Sequence, residues 1–183
     1  VGETAADFLN TNLNLGLSGT SIAMGVLLLI TLFFQFKARK YIPGIYWLAV
    51  VLISVVGTLI TDNLTDNLGV SLEVTTVVFA IALILTFIIW YATEKNLSIH
   101  KIDSLRRADF YWFAILFTFA FGTAAGALLA ESLKLGYPLS PFVFEGLRIV
   151  DWLIYKFLRF NAVITSWLSY ILTTELGTTI GSF

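Results

Sequence analysis

The sequence predicts an all-α integral membrane protein built from parallel tandem repeats, each containing two transmembrane helices. Three observations support this prediction: the composition, a series of long apolar runs and an internal repeat. Of the 183 residues, 58% are hydrophobic and only 13% are charged, whereas a soluble domain has about a quarter of its residues charged. The chain has no cysteine, which excludes disulfides, thiolate metal sites and thiol catalysis.

Six apolar runs are long enough, or nearly so, to cross a bilayer, which requires roughly 17 to 25 helical residues. They cover residues 19–36, 43–64, 72–92, 108–130, 139–158 and 161–181. None of the runs alternates with the two-residue period of a barrel strand, so they are expected to be helices. Residues 1–10 resemble the end of an earlier helix.

The basic residues predict the orientation of these spans. Nine of the eleven fall on one side if the spans alternate: Lys37, Arg39, Lys40, Lys95, Lys101, Arg106, Arg107, Lys156 and Arg159. Because Lys and Arg concentrate in cytoplasmic loops, the loops 37–42, 93–107 and 157–161 are expected in the cytoplasm. The expected location is a membrane, with the lipid bilayer as the first partner.

Four glycines mark the internal repeat. Gly2, Gly57, Gly122 and Gly177 are separated by 55, 65 and 55 residues and open similar motifs. Each unit would contain two crossings, so every repeat has the same orientation and the pseudo-symmetry axis lies along the membrane normal. The prediction is a single membrane domain over residues 1–183, divided into the end of a first repeat (1–18) and three helix pairs that end in a motif (19–72, 73–138 and 139–183).

Each motif carries two small residues four positions apart, on one helical face. The pairs are Gly2 and Ala6, Gly57 and Thr61, Gly122 and Gly126, and Gly177 and Gly181. Small residues at this spacing allow close approach of a neighbouring helix. The sequence therefore predicts helix packing at these positions.

The residue after each pair is Asp7 or Asp62 in the first two motifs, but Ala127 and Ser182 in the others. Ionisable residues in membrane spans are costly and usually face protein or water, which makes them candidate site residues. Glu3, Thr58 and Thr61 could supply further oxygen ligands, which suit hard cations or protons. Two interpretations stay open: a cation or proton site, with any metal unknown, or capping and packing at the membrane interface.

Three further features are less specific. Trp47, Trp112 and Trp167 each precede a repeat glycine by ten residues and are expected to anchor helices at the interface. Glu145, Arg148 and Asp151 form a polar stripe on one helical face, which either lines a polar pathway or packs against other chains. The DNLTDN stretch (62–67) is expected to lie largely in an outward loop.

Other classes of function find little support. The single histidine, His100, lies in a charged loop, and no nucleophile–base pair or cofactor fingerprint is visible. We therefore expect no enzyme activity and no cofactor. The basic residues flank the membrane spans, so nucleic-acid binding is not expected either.

The repeat resembles a bacterial family of multi-pass membrane proteins with four tandem two-helix repeats of unknown function, each with a characteristic tryptophan. The resemblance rests on GETAADFL (2–9), YWLAVVLISVVGTLITD (46–62), YWFAILFTFAFGTAAG (111–126) and WLSYILTTELGTTIG (167–181). It implies a longer protein with further helices, and an aspartate in each motif. Ala127 and Ser182 depart from that pattern, so only Asp7 and Asp62 carry over.

Two functional hypotheses follow. The first is an inner-membrane transport protein for a small cation or a proton-coupled solute, with Asp7 and Asp62 as the binding groups. The second is a non-transporting anchor, scaffold or regulatory subunit whose partner is a second copy or another membrane complex. Dry, packed motif faces would favour the second hypothesis, and acids facing a wet cavity would favour the first.

Overall fold

The computed structural model describes helices and no strand among the residues whose placement is given. Those residues are 8, 11, 16–38, 42–95, 97, 105–129, 145–150, 152–153, 156 and 165–173. Four long helices account for most of them: α1 (Gly16–Ala38), α2 (Pro43–Asp62), α3 (Leu72–Glu94) and α4 (Leu105–Ala127). All four are long and apolar enough to cross a membrane, in agreement with the first four predicted spans.

The helix ends follow local chemistry. Pro43 opens α2, where its missing N–H costs nothing. The Ser71 hydroxyl caps α3 by accepting a hydrogen bond from the Val74 backbone N–H. Lys95 ends α3 in the left-handed conformation, with φ of 54°. At the same end, Arg107 Nε lies 2.8 Å from a Glu94 carboxylate oxygen, which ties α3 to the start of α4.

The structure corrects the prediction of a loop after α2. Residues Asn63–Asn67 continue the helix as one π-helical turn, and Leu68 N–H donates to the Asn63 carbonyl oxygen. The chain then turns through Gly69, whose φ of +65° favours glycine. The polar residues therefore end the apolar span, but the backbone remains helical for one more turn.

The helices form two hairpins, α1–α2 and α3–α4, which meet through α2 and α4. One apolar core extends across both hairpins, with Leu28, Ala49, Ile53, Leu83 and Ile115 among its buried members. The outer faces of α1 and α3 carry large exposed apolar side chains, as expected of helices that contact lipid. Two further segments, residues 145–156 where described (the Arg148 segment) and residues 165–173 (the Trp167 helix), are also helical.

Candidate functional site

The motif of α2 lies against α4 in close contact. A Cβ atom added to Gly57 would lie 2.9 Å from Phe119 Cβ and 3.1 Å from the Ala120 backbone nitrogen. Thr61, 2% exposed, donates its hydroxyl to the Ala120 carbonyl oxygen at 3.0 Å. We call this contact the α2–α4 seam. It is closed to any side chain larger than hydrogen at Gly57.

Equivalent residues of two repeats meet across the seam. The Thr58 and Thr123 hydroxyl oxygens are 3.1 Å apart and both residues are buried. Towards the start of both helices, the Tyr46 and Tyr111 hydroxyl oxygens are 2.6 Å apart. Each pair is separated by 65 residues, which is also the spacing between Gly57 and Gly122. The repeat spacing could have identified these residues as equivalent, although not as contacts.

The proposed cation ligands are only partly within the described residues. Glu3 and Asp7 lie outside them. Asp62 is half-buried at the end of α2 and has an interaction partner. The two threonines, Thr58 and Thr61, use their hydroxyls for contacts to α4. The structure thus places the described members of the set in and beside a packed helix contact.

The glycines predicted to pack helices are also only partly within the described residues. Gly57 contacts α4 as described, and Gly122 and Gly126 are buried in α4. The remaining members, Gly2, Gly177 and Gly181, lie outside the described residues.

A network of hydrogen bonds between amide and hydroxyl groups is centred on Asn63, the residue after Asp62. Asn63 Nδ2 donates to Ser21 Oγ at 2.6 Å, and Ser18 Oγ donates to Asn63 Oδ1 at 3.1 Å. Asn67 Nδ2 donates to the same Asn63 oxygen at 2.8 Å. The network joins α1 to the π-helical turn. The loop prediction missed it because the partners are 42 and 45 residues apart.

The three repeat tryptophans occupy different environments. Trp47 is 61% exposed, whereas Trp112 and Trp167 are buried. Trp167 packs edge-on against Trp90 at 5.8 Å between ring centroids and donates its indole N–H to the Leu97 carbonyl oxygen. Trp112 lies 5.7 Å from the Tyr46 ring. Their role as interface anchors stays a prediction.

The outer helices repeat their own buried polar groups. Thr20 and Gln35 of α1, and Thr75 and Trp90 of α3, each carry a buried polar atom without a hydrogen-bond partner in the described part of the chain. Thr20 and Thr75 are 55 residues apart, and so are Gln35 and Trp90. The two helices thus present matched positions to the interior. The same offset relates Leu28 to Leu83, and both leucines are buried in the core.

The polar stripe borders a cavity. Arg148 and Trp152 line it from the Arg148 segment, and the Trp167 helix contributes Ser166, Ser169, Tyr170 and Thr173. The volume is about 400 Å³, and the cavity is open to the surface rather than enclosed. Glu145 lies 3.5 Å from Arg148 in a half-exposed ion pair, and Asp151 lies outside the described residues. We call this cavity the Arg148 pocket.

Metal ligands do not cluster in the part of the chain that the structure describes. No three His, Asp or Glu side chains come together there in an arrangement that could hold an ion. The oxygen atoms near Asp62 come from amides and hydroxyls, which are already engaged with one another.

Comparison with known families places these helices in a repeat family. A family model described as Repeat of Unknown Function (DUF347) matches residues 1–41, 45–96 and 110–157. These three segments cover most of the chain, which therefore belongs to the DUF347 family. No curated protein and no solved structure matches the chain.

The matched segments follow the repeat spacing of the sequence. The second and third begin at residues 45 and 110, one residue before the contacting Tyr46 and Tyr111. The second segment includes α2 and α3, and the third includes α4 and the Arg148 segment. The family match therefore gives the Arg148 segment the place in its repeat that α3 has in the preceding one.

Proposed function

We propose that the chain forms parallel tandem repeats around an axis along the membrane normal, in a bacterial inner membrane. The contacts of the α2–α4 seam support this arrangement: Tyr46 meets Tyr111 near the helix starts, and Thr58 meets Thr123 near the helix ends. Two helices that meet start to start and end to end run in the same direction. On this proposal there are four repeats with a tryptophan in each, and the basic loops 37–42, 93–107 and 157–161 face the cytoplasm.

The function we propose is transport of a proton-coupled solute. The observation that carries it is the Arg148 pocket, where the Arg148 guanidinium and several hydroxyl-bearing side chains meet on a surface that is otherwise mostly apolar. A cavity with convergent polar groups is the usual form of a small-molecule site. Polar groups inside membrane helices commonly mark a substrate pathway because they are costly to retain there.

The seam contacts change the expected position of the pathway. Thr58 and Thr61 are each 2% exposed, so a cation between α2 and α4 would have to displace existing hydrogen bonds. The pathway is therefore better placed at the Arg148 pocket, away from the seam. Asp62, at the end of α2, remains the candidate proton carrier among the described residues.

Uptake into proteoliposomes tests the proposal. The complete protein would be reconstituted with a pH gradient, and uptake of a panel of small organic anions, phosphate and mono- and divalent cations would be measured. We expect saturable uptake of one solute class, driven by the gradient and reduced by Asp62→Asn. Protein-free vesicles and a reconstituted Asp66→Asn variant, altered at an exposed acid in the same turn, are the controls. Absence of uptake for every member of the panel would contradict transport.

A second candidate function is a non-transporting scaffold or regulatory subunit. The closed α2–α4 seam supports it, since the repeat motif there serves helix packing. The apolar outer faces of α1 and α3 offer surface for a second copy or another membrane protein. This candidate predicts no uptake, together with a defined complex larger than the monomer in mild detergent.

A further inference from the structure

The last helix pair aligns with the first hairpin without a gap. Gly57 and Gly177 are 120 residues apart, and the same offset pairs Trp47 with Trp167 and Leu27 with Leu147. Under this offset the Arg148 segment corresponds to α1, and the Trp167 helix corresponds to α2. Each residue of the pocket therefore has an aligned counterpart in the first hairpin.

Every residue that lines the Arg148 pocket aligns with a member of the apolar core. Arg148, Trp152, Ser166, Ser169, Tyr170 and Thr173 align in order with Leu28, Leu32, Tyr46, Ala49, Val50 and Ile53. All six counterparts belong to one hydrophobic cluster, and Ala49 and Ile53 are at most 2% exposed. The pocket therefore occupies the place in its repeat where the first hairpin has a dry core.

Arg148 is the most consequential replacement. Its counterpart Leu28 is buried, and so is Leu83, which lies at the corresponding position of α3. Arg148 itself is exposed, with 46% of its side chain accessible, so its charge is not buried as the two leucines are. The contact with Glu145, at 3.5 Å, is of a kind that contributes little to stability. The guanidinium of Arg148 is therefore accessible to a ligand.

The chemistry of the lining points to an anionic ligand. The planar guanidinium of Arg148 can bind a carboxylate or a phosphate group through two parallel hydrogen bonds. Ser169 and Thr173 line the pocket from the facing helix, where the Thr173 hydroxyl donates to the Ser169 carbonyl oxygen at 2.7 Å. Lys156 Nζ is 4.7 Å from the centroid of the Trp152 ring, but Lys156 is not among the lining residues. No carboxylate lines the cavity among the described residues.

We propose that the Arg148 pocket binds a small oxyanion, the carboxylate or phosphate group of a solute, with Arg148 as its principal partner. The inference rests on the proposed transport function for its physiological role and gives that function a substrate class. Trp152 and Tyr170 contact the rest of the solute.

Direct binding tests the site separately from transport. Titration calorimetry on the complete protein in phosphatidylcholine nanodiscs would use inorganic phosphate, succinate and, as a non-oxyanion control, chloride. We expect saturable binding of phosphate or succinate and none of chloride. Arg148→Leu should weaken binding by roughly tenfold or more, because charge-assisted hydrogen bonds are the strong ones. Arg148→Lys should restore only part of it, because lysine lacks the planar fork.

Two controls keep a folding defect from imitating a lost site. Arg148→Leu restores the residue type of Leu28 and Leu83, so its melting temperature should equal or exceed that of the wild type. Arg106→Leu removes an exposed arginine at the start of α4 and should leave binding unchanged. Unchanged binding in Arg148→Leu, or no binding of either oxyanion, would overturn the proposal.

The remaining outcomes separate the sources of the oxyanion and the two proposals. The same titration would be repeated in phosphatidylglycerol nanodiscs. If this lipid blocks phosphate binding by the wild type but leaves any residual binding by Arg148→Leu unchanged, the occupant is a lipid phosphate. That result would overturn the assignment of a solute. Binding that depends on Arg148 without uptake would keep the site and reject transport. Uptake that Arg148→Leu leaves unchanged would keep transport and reject this pocket.

Discussion

The inner helices α2 and α4 and the outer helices α1 and α3 have similar lengths but opposite surroundings. Within the most apolar window of each span, 56% and 61% of the residues of α2 and α4 are buried, against 22% in both α1 and α3. The inner pair is not the more apolar one, since α3 has the highest hydropathy and α4 the lowest. Mean hydropathy therefore does not decide which helices lie at the centre. The inner pair meets where Gly57 and Thr61 contact α4 closely, as expected if helices in lipid associate through close packing rather than through hydrophobicity.

Two adjacent residues of α3 test the difference between the buried and the exposed face of an outer helix. Leu83 is 5% exposed towards the core and Ile84 is 57% exposed. Leu83→Ala should lower the free energy of unfolding by about 2–5 kcal/mol, the cost of a core cavity. Ile84→Ala should cost far less, because lipid chains replace the lost contacts. Reversible unfolding in mixed micelles measures the free energy of unfolding of both variants. Equal losses would mean that Leu83 does not face the core more than Ile84 does.

The seam glycine gives the next largest effect. Gly57→Ala places a Cβ atom 2.9 Å from Phe119 Cβ and 3.1 Å from a backbone nitrogen, so the two helices must separate. We expect a loss of about 1–3 kcal/mol, typical of overpacking. The matched control is Gly25→Ala in α1, where an added Cβ meets nothing within 4 Å. If both variants melt at the wild-type temperature, the seam is looser than the structure describes.

A double-mutant cycle on Thr58 and Thr123 tests the smallest expected effect, the coupling energy between their hydroxyl groups. Their hydroxyl oxygens are 3.1 Å apart in a buried site, and interhelical hydrogen bonds in membranes contribute about 0.6 kcal/mol on average. The variants Thr58→Val and Thr123→Val should therefore show a coupling energy of about that size. Pairing Thr58→Val with Thr93→Val, on the exposed end of α3, should show none. Coupling that is absent from both cycles would mean that the two repeats do not meet at these positions.

Much of the helical architecture could be predicted from the sequence. The first four spans were placed to within a few residues, because length and apolar composition alone specify a helix that could cross a membrane. The glycine spacing of 65 residues between the second and third motifs also makes Tyr46 equivalent to Tyr111 and Thr58 equivalent to Thr123, but only the structure brings each pair into contact. The π-helical turn after Asp62 was missed, since the partners that hold Asn63 belong to α1.

The candidate site was predicted less completely. The polar stripe included Arg148, but the residues that share its pocket could not be predicted, because Ser169 and Thr173 lie on another helix. The hydroxyls of Thr58 and Thr61 were grouped with Asp62 as cation ligands, although in the structure they bond to α4. A helical period shows which residues share a face, but not what that face meets.

By itself, the sequence determined that this protein consists of apolar helices in tandem repeats, because composition, span length and repeat spacing are properties of the chain. Only the tertiary structure decided that α2 and α4 pair through a closed seam, and that a polar pocket stands where the first hairpin has a core. The physical reason is that lipid and protein interiors are both apolar. The distinction between them, and between a filled and an open space, depends on distances between helices that are far apart in sequence.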